Sequence, residues 1–447
     1  MSGLALGWSV GRHAEDATRY PRSRADARRT RPAPSVLGMA RDHDLVLLGA
    51  TSFVGSLTAE HLARSAPTDA RIALAGRDRE RLAALRDRLP RAAAGWPLLV
   101  VDVEDRPALD RVAASTTALV TTVGPYTRHG LPVVEACAAA GTHYADLTGE
   151  LGFVRAAIDA TDAVARATGA RLVHACGYDS VPSDLGVHLL HRAATADAAG
   201  DLLDVHALAT ARGGVSGGTV ASMLGEVESV RTDPRVRALH ADPFALSPDR
   251  AAETDRAQPS PLARPRVLAG RWAAPFVMAP FNTKVVRRSN ALTGWAYGRD
   301  LRYAEHVDAG RGASGAATAL AVTAATALGA AALALPPARA LVERALPAGG
   351  GPDESTRRGG FFRHRFLART TSGRTYAARV QAAGDPGYAA TSVMLGEAAL
   401  ALALDGAALP DRAGSLTPAT ALGDVLVERL RAQRFRLDAV PVPPVAW

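Results

Sequence analysis

The chain has 447 residues, too many for one ordinary hydrophobic core, so two domains are expected. Lys284 is the single lysine among 52 basic residues, and much of the net charge of +8 falls in the first 40 positions, a distribution that gives no reason to read nucleic-acid binding. The two cysteines, Cys137 and Cys176, have neither C-x-x-C nor zinc spacing and form no disulfide framework, which fits a reducing cytoplasm.

Residues 1–40 mix arginine, alanine, serine and proline with no sustained apolar period and read as a disordered tail. Glu15, Asp16 and Asp26 argue against a transit peptide, and no apolar run suits a secretory signal. Met39 offers a second translation start, which mass spectrometry of the native N-terminus would detect. Asp44 to Leu48 then reads as a buried parallel strand that ends in Gly49-Ala-Thr-Ser-Phe-Val-Gly55 and passes into a helix over 56–64. A glycine-rich turn between strand and helix brings backbone N–H groups, here along Thr51, Ser52, Phe53 and Val54, against a pyrophosphate. Gly49 suits the tight turn and Gly55 the close packing of helix on strand. Ser52 stands where the commoner form has its middle glycine, and its hydroxyl could bond the phosphate.

The second apolar strand, 71–75, ends in Gly76-Arg77, about 20 residues on, where an NAD enzyme carries an acid. An arginine there suits a 2′-phosphate and favours NADP(H) over NAD(H); the alternative is a plain surface charge. A helix over 79–89, a strand over 97–101 and a helix over 107–114 follow, with Asp102 placed to face the adenine edge. The fourth strand, 118–123, runs into Gly124-Pro125-Tyr126, a turn at the carboxyl end of the sheet and so beside the cofactor. A helix over 131–140, a strand through Tyr144 and Asp146, the turn Leu147-Thr-Gly-Glu150, a longer helix and a strand over 171–175 complete the alternation. Residues 41–184 therefore read as an α/β, doubly wound Rossmann-type parallel sheet that binds NADP(H).

Beyond Leu185 a strand over 202–212, the second glycine-rich turn Gly213-Gly-Val-Ser-Gly-Gly218, a helix over 219–230 and strands over 361–380 indicate a second α+β domain, 185–385, with a mostly antiparallel sheet, serving substrate binding and dimerisation. The proline-, arginine- and aspartate-rich stretch 232–270 reads as irregular surface. Helices over 388–404 and 417–431 make a C-terminal segment, 386–447, that can pack back on the first domain. No charge occurs between Arg311 and Arg339, so 312–335 is long enough to cross a bilayer. Its alanines and glycines, and the stop at Pro336-Pro337, favour a buried or lipid-facing helix, a peripheral membrane contact and an apolar path for a fatty substrate.

The runs Gly49–Gly55, Ala75-Gly-Arg77, Thr122-Val-Gly-Pro-Tyr126, Tyr144-Ala-Asp-Leu-Thr-Gly-Glu150 and Gly177-Tyr-Asp-Ser-Val-Pro-Ser-Asp184 together resemble the saccharopine dehydrogenase-like oxidoreductases. Within that family Gly213–Thr219, Asn282-Thr-Lys-Val-Val-Arg-Arg-Ser-Asn290, Gly387–Glu397 and Leu416-Thr-Pro-Ala-Thr420 are similar to the actinobacterial trans-acting enoyl reductases, and the likeness runs from about 43 to 438. The resemblance implies an NADPH enzyme that reduces the carbon–carbon double bond of an enoyl thioester carried by a polyketide synthase lacking its own reductase, on the way to cell-envelope lipids. It does not imply the amino-acid reaction in the family name.

Enoyl reduction needs a donor for the oxyanion that forms on the thioester and a proton for the α-carbon. Tyr178 is the first candidate for that work and Tyr126 the second, with Asp179 beside them. Tyr144, Asp146, Glu150 and Ser180 fall on the same edge, where Asp146 and Asp179 equally suit helix caps and Tyr144 the core. Lys284 and Asn282 could meet the thioester or a carrier phosphate, although a surface role suits them better. His174 beside Cys176 suits a sheet residue better than a metal ligand. Two other readings stay open: an NADPH reductase of a small imine or carbonyl, and a lipid-associated NADP-binding protein without turnover.

Overall fold

The computed structural model describes residues 41–213, 217–260, 266–333 and 353–444. The tail over 1–40, the Met39 start, the centre of the second glycine-rich turn and Pro336-Pro337 lie outside them.

Six strands follow one another with helices between: β1 (His43–Leu48), β2 (Ile72–Gly76), β3 (Leu98–Val100), β4 (Thr116–Thr121), β5 (His143–Ala145) and β6 (Arg171–Val173). The intervening helices are α1 (Phe53–Ser65), α2 (Arg79–Arg88), α3 (Arg106–Ser115), α4 (Tyr126–Ala140) and α5 (Leu151–Thr168). β2 is buried at all five positions and β1 from Leu45 to Leu48, which is why these strands read as unbroken apolar runs: helices cover both faces. The order is β3-β2-β1-β4-β5-β6 with every pairing parallel, so the direction of winding reverses between β1 and β4. At that switch the carboxyl ends of two neighbouring strands open a crevice.

A long helix, α6 (Val181–Ala196), leads into the second sheet, which holds β7 (Leu202–Arg212), β8 (Arg266–Leu268), β9 (Arg271–Pro275), β10 (Arg302–Gly310), β11 (Phe361–Thr370) and β12 (Thr375–Ala383). Its pairings are antiparallel apart from β7 with β10. β11 alternates strictly: Phe362, His364, Phe366 and Ala368 point into the core, and Arg363, Arg365 and Arg369 lie half-exposed behind it. α6 covers the inner face so closely that a Cβ on Gly186 would stand 2.2 Å from the Phe366 ring.

The stretch 232–270 corrects the sequence reading. It holds α8 (Pro234–Ala241), β8 and buried Phe244, Ala245 and Leu246, between α7 (Gly217–Thr232) and α9 (Ala279–Leu292). Arg287 and Arg288 of α9 donate to the carbonyls of Pro243 and Leu246 and tie the segment down. Asp233, whose carboxylate caps α8, followed by Pro234 in its first turn, was a legible helix start that the polar composition obscured.

The C-terminal segment serves both sheets. α12 (Thr391–Leu404) follows the short α11 (Glu354–Gly359) and buries Met394, Leu395, Ala398 and Leu402 in the same apolar cluster as Leu45, Leu47, Leu62 and Val120. β13 (Gly414–Leu416) then adds a seventh parallel strand beside β6, and after α13 (Pro418–Ala432) the last strand, β14 (Arg436–Val442), pairs with β12. The sequence suggests the two helices; the strands are too short, and in β14 too interrupted by Pro441, to show a period of two.

α10 (Gly312–Leu333) is the uncharged stretch. Near its start Ala319 packs against Ala274 and Ala309 of β9 and β10, whereas Leu320 and Leu328 farther along are 67% and 71% exposed. It is long and apolar enough to cross a membrane; the other stretch that passes that measure, Pro386–Leu404, is mostly core.

Candidate active site

The crevice at the switch point is shaped by its glycines. Gly49 adopts φ +79°, and a Cβ on Gly55 would lie 2.3 Å from the Gly49 carbonyl oxygen, so any side chain at 55 would close the turn. Ser52 is the N-cap of α1, which begins at Phe53, three residues before the sequence suggests. Its Oγ accepts from Gly55 N at 2.9 Å and lies 2.9 Å from Thr122 Oγ1, whose own proton goes to Gly49 O at 2.9 Å. The Ser52 proton therefore goes to Thr122, and the hydroxyl is fully used in holding the turn to β4. With that proton directed to Thr122, the donors open to an anion are first-turn amides such as those of Phe53 and Val54.

The other cofactor candidates lie around this crevice. Thr51 and Val54 are half-buried in the same turn, and the Phe53 ring meets Tyr388 edge-on at 4.8 Å, with the Arg357 guanidinium 5.3 Å from its centre. Arg77 follows β2 directly and is exposed and, among the described residues, unpaired. Asp102 accepts from Glu104 N at 3.1 Å with one oxygen. Gly124 is exposed at the end of β4, joined to Pro125 by a cis peptide.

Several chemically capable side chains on this edge are already committed. The Tyr126 hydroxyl donates to Thr121 O at 3.1 Å and accepts from Leu147 N at 3.4 Å, and burial raises its pKa far above a free phenol. It pins the end of β4 to the 147–150 turn. Glu150 accepts from the amides of Tyr126 and Thr127 at 3.0 and 2.7 Å and from Ser222 Oγ at 2.7 Å, a carboxylate at the positive end of α4. Asp146, with no exposed surface, takes Thr148 N, Ala175 N, the Tyr144 hydroxyl and His174 Nδ1, the last at 2.7 Å. Those four residues knit β5 to β6. Lys284 is likewise withdrawn: its Nζ donates to His240 O and Pro280 O, and burial lowers its pKa to about 8. The surface role expected of Lys284 and Asn282 is corrected: both side chains are buried.

The turn after β6 differs. Tyr178 N is held by Thr391 Oγ1 at 3.0 Å, and the ring reaches across to the second sheet, edge-on to Phe362 at 5.2 Å and His364 at 5.5 Å. Among the described residues its hydroxyl has one partner, His364 Nε2, at 3.2 Å. Burial pushes the His364 pKa down to about 3, so the ring is neutral, and burial, then the charges of Glu305 and Asp179, holds the phenol protonated. Asp179 retains some exposed surface, yet enough protein surrounds it to raise its carboxyl to about 6; Oδ2 faces the 147–150 turn, 3.6 Å from where a Gly149 Cβ would be. Ser180 Oγ donates to Asn282 Oδ1 at 3.1 Å, and Asn282 Nδ2 donates to Glu305 Oε2 at 3.0 Å. Glu305 also accepts from the Tyr303 hydroxyl at 2.7 Å, and its burial lifts it to about 7. Asn282 thus serves this buried network.

Glu305 and His364 escape the sequence reading. The available signal was weak: His364 stands in the buried phase of an alternating strand, between Phe362 and Phe366, whereas Glu305 falls in the continuously buried run 303–306 of β10. Among the described residues no three His, Cys, Asp or Glu side chains gather as a metal site.

Residues 45–173 match the model of a family described as saccharopine dehydrogenase NADP binding domain. The chain is 50% identical over 417 residues to a putative trans-acting enoyl reductase of Mycobacterium tuberculosis, covering 89% of this chain and 97% of that one. To a trans-acting enoyl reductase of Mycobacterium ulcerans it is 46% identical over 404 residues, 87% and 96% of the two chains. Among solved structures, the apo saccharopine dehydrogenase (L-Glu forming) of Saccharomyces cerevisiae is 14% identical, with a TM-score of 0.49 over 89% of this chain and 99% of that one.

Proposed function

The chain belongs to the family of trans-acting enoyl reductases, with an NADP-binding first domain, and from that premise we propose that it uses NADPH to reduce the carbon–carbon double bond of an α,β-unsaturated acyl thioester. The glycine cradle at Gly49 and Gly55 fits a dinucleotide, since a Cβ at 55 would fill it. The amides ahead of α1 would hold the pyrophosphate, Arg77 the 2′-phosphate that separates NADPH from NADH, and Asp102 and Gly124 would border the ends of the cofactor. Bound there, the reduced nicotinamide supplies a hydride.

Hydride arriving at the β-carbon breaks the C=C π bond and sends its electron pair to the thioester oxygen. Tyr178 donates its hydroxyl to that oxygen as charge builds, and collapse of the enolate takes one proton onto the α-carbon. The observation that carries this reading is the state of the three candidate phenols: Tyr126 and Tyr144 give their protons to Thr121 O and Asp146, whereas Tyr178 meets only a neutral imidazole. Loss of NADPH absorbance with a 2-enoyl thioester, yielding the saturated thioester, is the expected result. Oxidation of NADPH only with an imine or carbonyl substrate would overturn it.

The proposal includes a substrate delivered on the carrier domain of a separate polyketide synthase, a homodimer formed through the second domain, and a cytoplasmic enzyme touching membrane through α10. The exposure of Leu320 and Leu328 on an uncharged helix supports that contact. Co-sedimentation with phospholipid vesicles, lost in a Leu320→Glu, Leu328→Glu variant, tests the membrane contact, and light scattering tests the dimer.

A further inference from the structure

The Tyr178 hydroxyl and His364 Nε2 share one hydrogen bond, and the proton in it can come from either side. His364 Nδ1 decides which. That atom is buried and has no partner among the described residues, and the ring is walled by Phe276, Phe362 and Phe366 with centroids 5.8, 6.1 and 6.2 Å away. If Nδ1 carried the hydrogen, an N–H would be orphaned in an aromatic enclosure, and Nε2 would draw the phenol proton to itself. With the hydrogen on Nε2, the donor is satisfied by the Tyr178 oxygen and only a lone pair is left bare, the less costly of the two.

We propose that His364 is a positioning residue for the reduction: its Nε2–H donates to the Tyr178 oxygen and leaves the phenol proton free to turn toward the thioester oxygen. Donation to the phenol oxygen also makes the hydroxyl a better donor, because it stabilises negative charge there. A histidine serves here because its neutral ring offers one N–H on a rigid body set by β11, and the surrounding rings keep it from protonating. The inference rests on the reading of Tyr178 as the donor.

The test uses the full chain with NADPH and a 2-enoyl thioester. His364→Leu is expected to lower kcat by about tenfold or more with both KM values within about twofold, as for an interaction felt mainly in the transition state. His364→Gln, whose side-chain amide can donate from the position of Nε2, should recover most of the loss. In a Tyr178→Phe background, His364→Leu should cost nothing further, because the group it acts through is gone. The ¹⁵N shifts of the His364 ring should report hydrogen on Nε2. Wild-type kcat in His364→Leu, a glutamine variant as slow as the leucine one, additive losses in the double variant, or hydrogen on Nδ1 would each overturn the proposal. Should His364→Leu fail to fold, the glutamine variant and the ring shifts still decide. An undiminished rate in Tyr178→Phe is a separate outcome that removes the Tyr178 reading itself.

Discussion

Two clusters built from nearly the same side chains differ in what their hydroxyls are bonded to. At the carboxyl edge of the first sheet, Tyr126, Tyr144, Asp146 and Glu150 are bonded to backbone amides, carbonyls and one another, and His174 is tied to Asp146 through Nδ1 while its Nε2 has no partner among the described residues. Between the turn after β6 and the second sheet, the Tyr178 hydroxyl meets only His364 Nε2, and His364 Nδ1 has no partner, among the described residues. A buried polar atom without a partner costs roughly 1–3 kcal/mol, and a fold retains several together where a ligand completes them. Residue type and position at the sheet edge therefore do not distinguish scaffold from chemistry here, and neither does a bare ring nitrogen, which both clusters hold; the group each phenol is bonded to does.

The sharpest break of that comparison is a pair of equal substitutions. Tyr178→Phe should lower kcat by roughly 100- to 1000-fold, the scale of losing one oxyanion donor, while Tyr126→Phe should leave kcat within about threefold and destabilise the fold by about 1 kcal/mol. Steady-state kinetics and thermal melting of both variants test it, and similar rate losses would erase the distinction. Next in size, Arg77→Ala should weaken NADPH binding by about ten- to a hundredfold and leave NADH binding unchanged, as expected for loss of a charge-assisted phosphate contact, with fluorescence titration as the readout.

Rising pH should expose the cost of burying Glu305. Glu305 sits at about 7 in the folded protein against 4.5 for the free side chain, with Tyr303, Asn282 and the Arg287 charge around it. Between those values the folded state binds more protons than the unfolded one, so this group's contribution to stability is full below 4.5 and is lost as pH rises through about 7. Unfolding midpoints across pH 4.5–7 should carry that slope, and Glu305→Gln should flatten it. The smallest effect belongs to the first cluster: Ser52→Ala should cost about 1 kcal/mol of stability as a lost cap, with NADPH affinity unchanged because the hydroxyl faces Thr122. A cofactor affinity that fell with it would return Ser52 to the phosphate.

The first sheet was legible because its strands are continuous apolar runs punctuated by Gly49, Gly141 and Gly169, each with φ above +60° where the chain turns. The order of those strands and the crevice at Gly49–Gly55 follow from that rhythm. What sequence could not separate was Tyr126 from Tyr178: both follow a strand, and only the fold reveals that one hydroxyl reaches Thr121 O and the other reaches β11, 186 residues away in sequence. His364 and Glu305 were hidden for the same reason, since each occupies an ordinary core slot in a strand. The strands β13 and β14 were missed because their pairing partners, β6 and β12, decide their conformation more than their own composition does.

The return of residues 391–442 to both sheets has a bearing on how the protein is made. A ribosome releases the glycine crevice and its six strands long before it releases α12 and β13, so a nascent chain carries an open β6 edge and a bare apolar face over β1, β4 and β5 until synthesis is nearly finished. Premature termination anywhere before Thr391 would leave those surfaces permanently uncovered, and such fragments should be captured by chaperones or collect as inclusion bodies rather than persist as a free nucleotide-binding half.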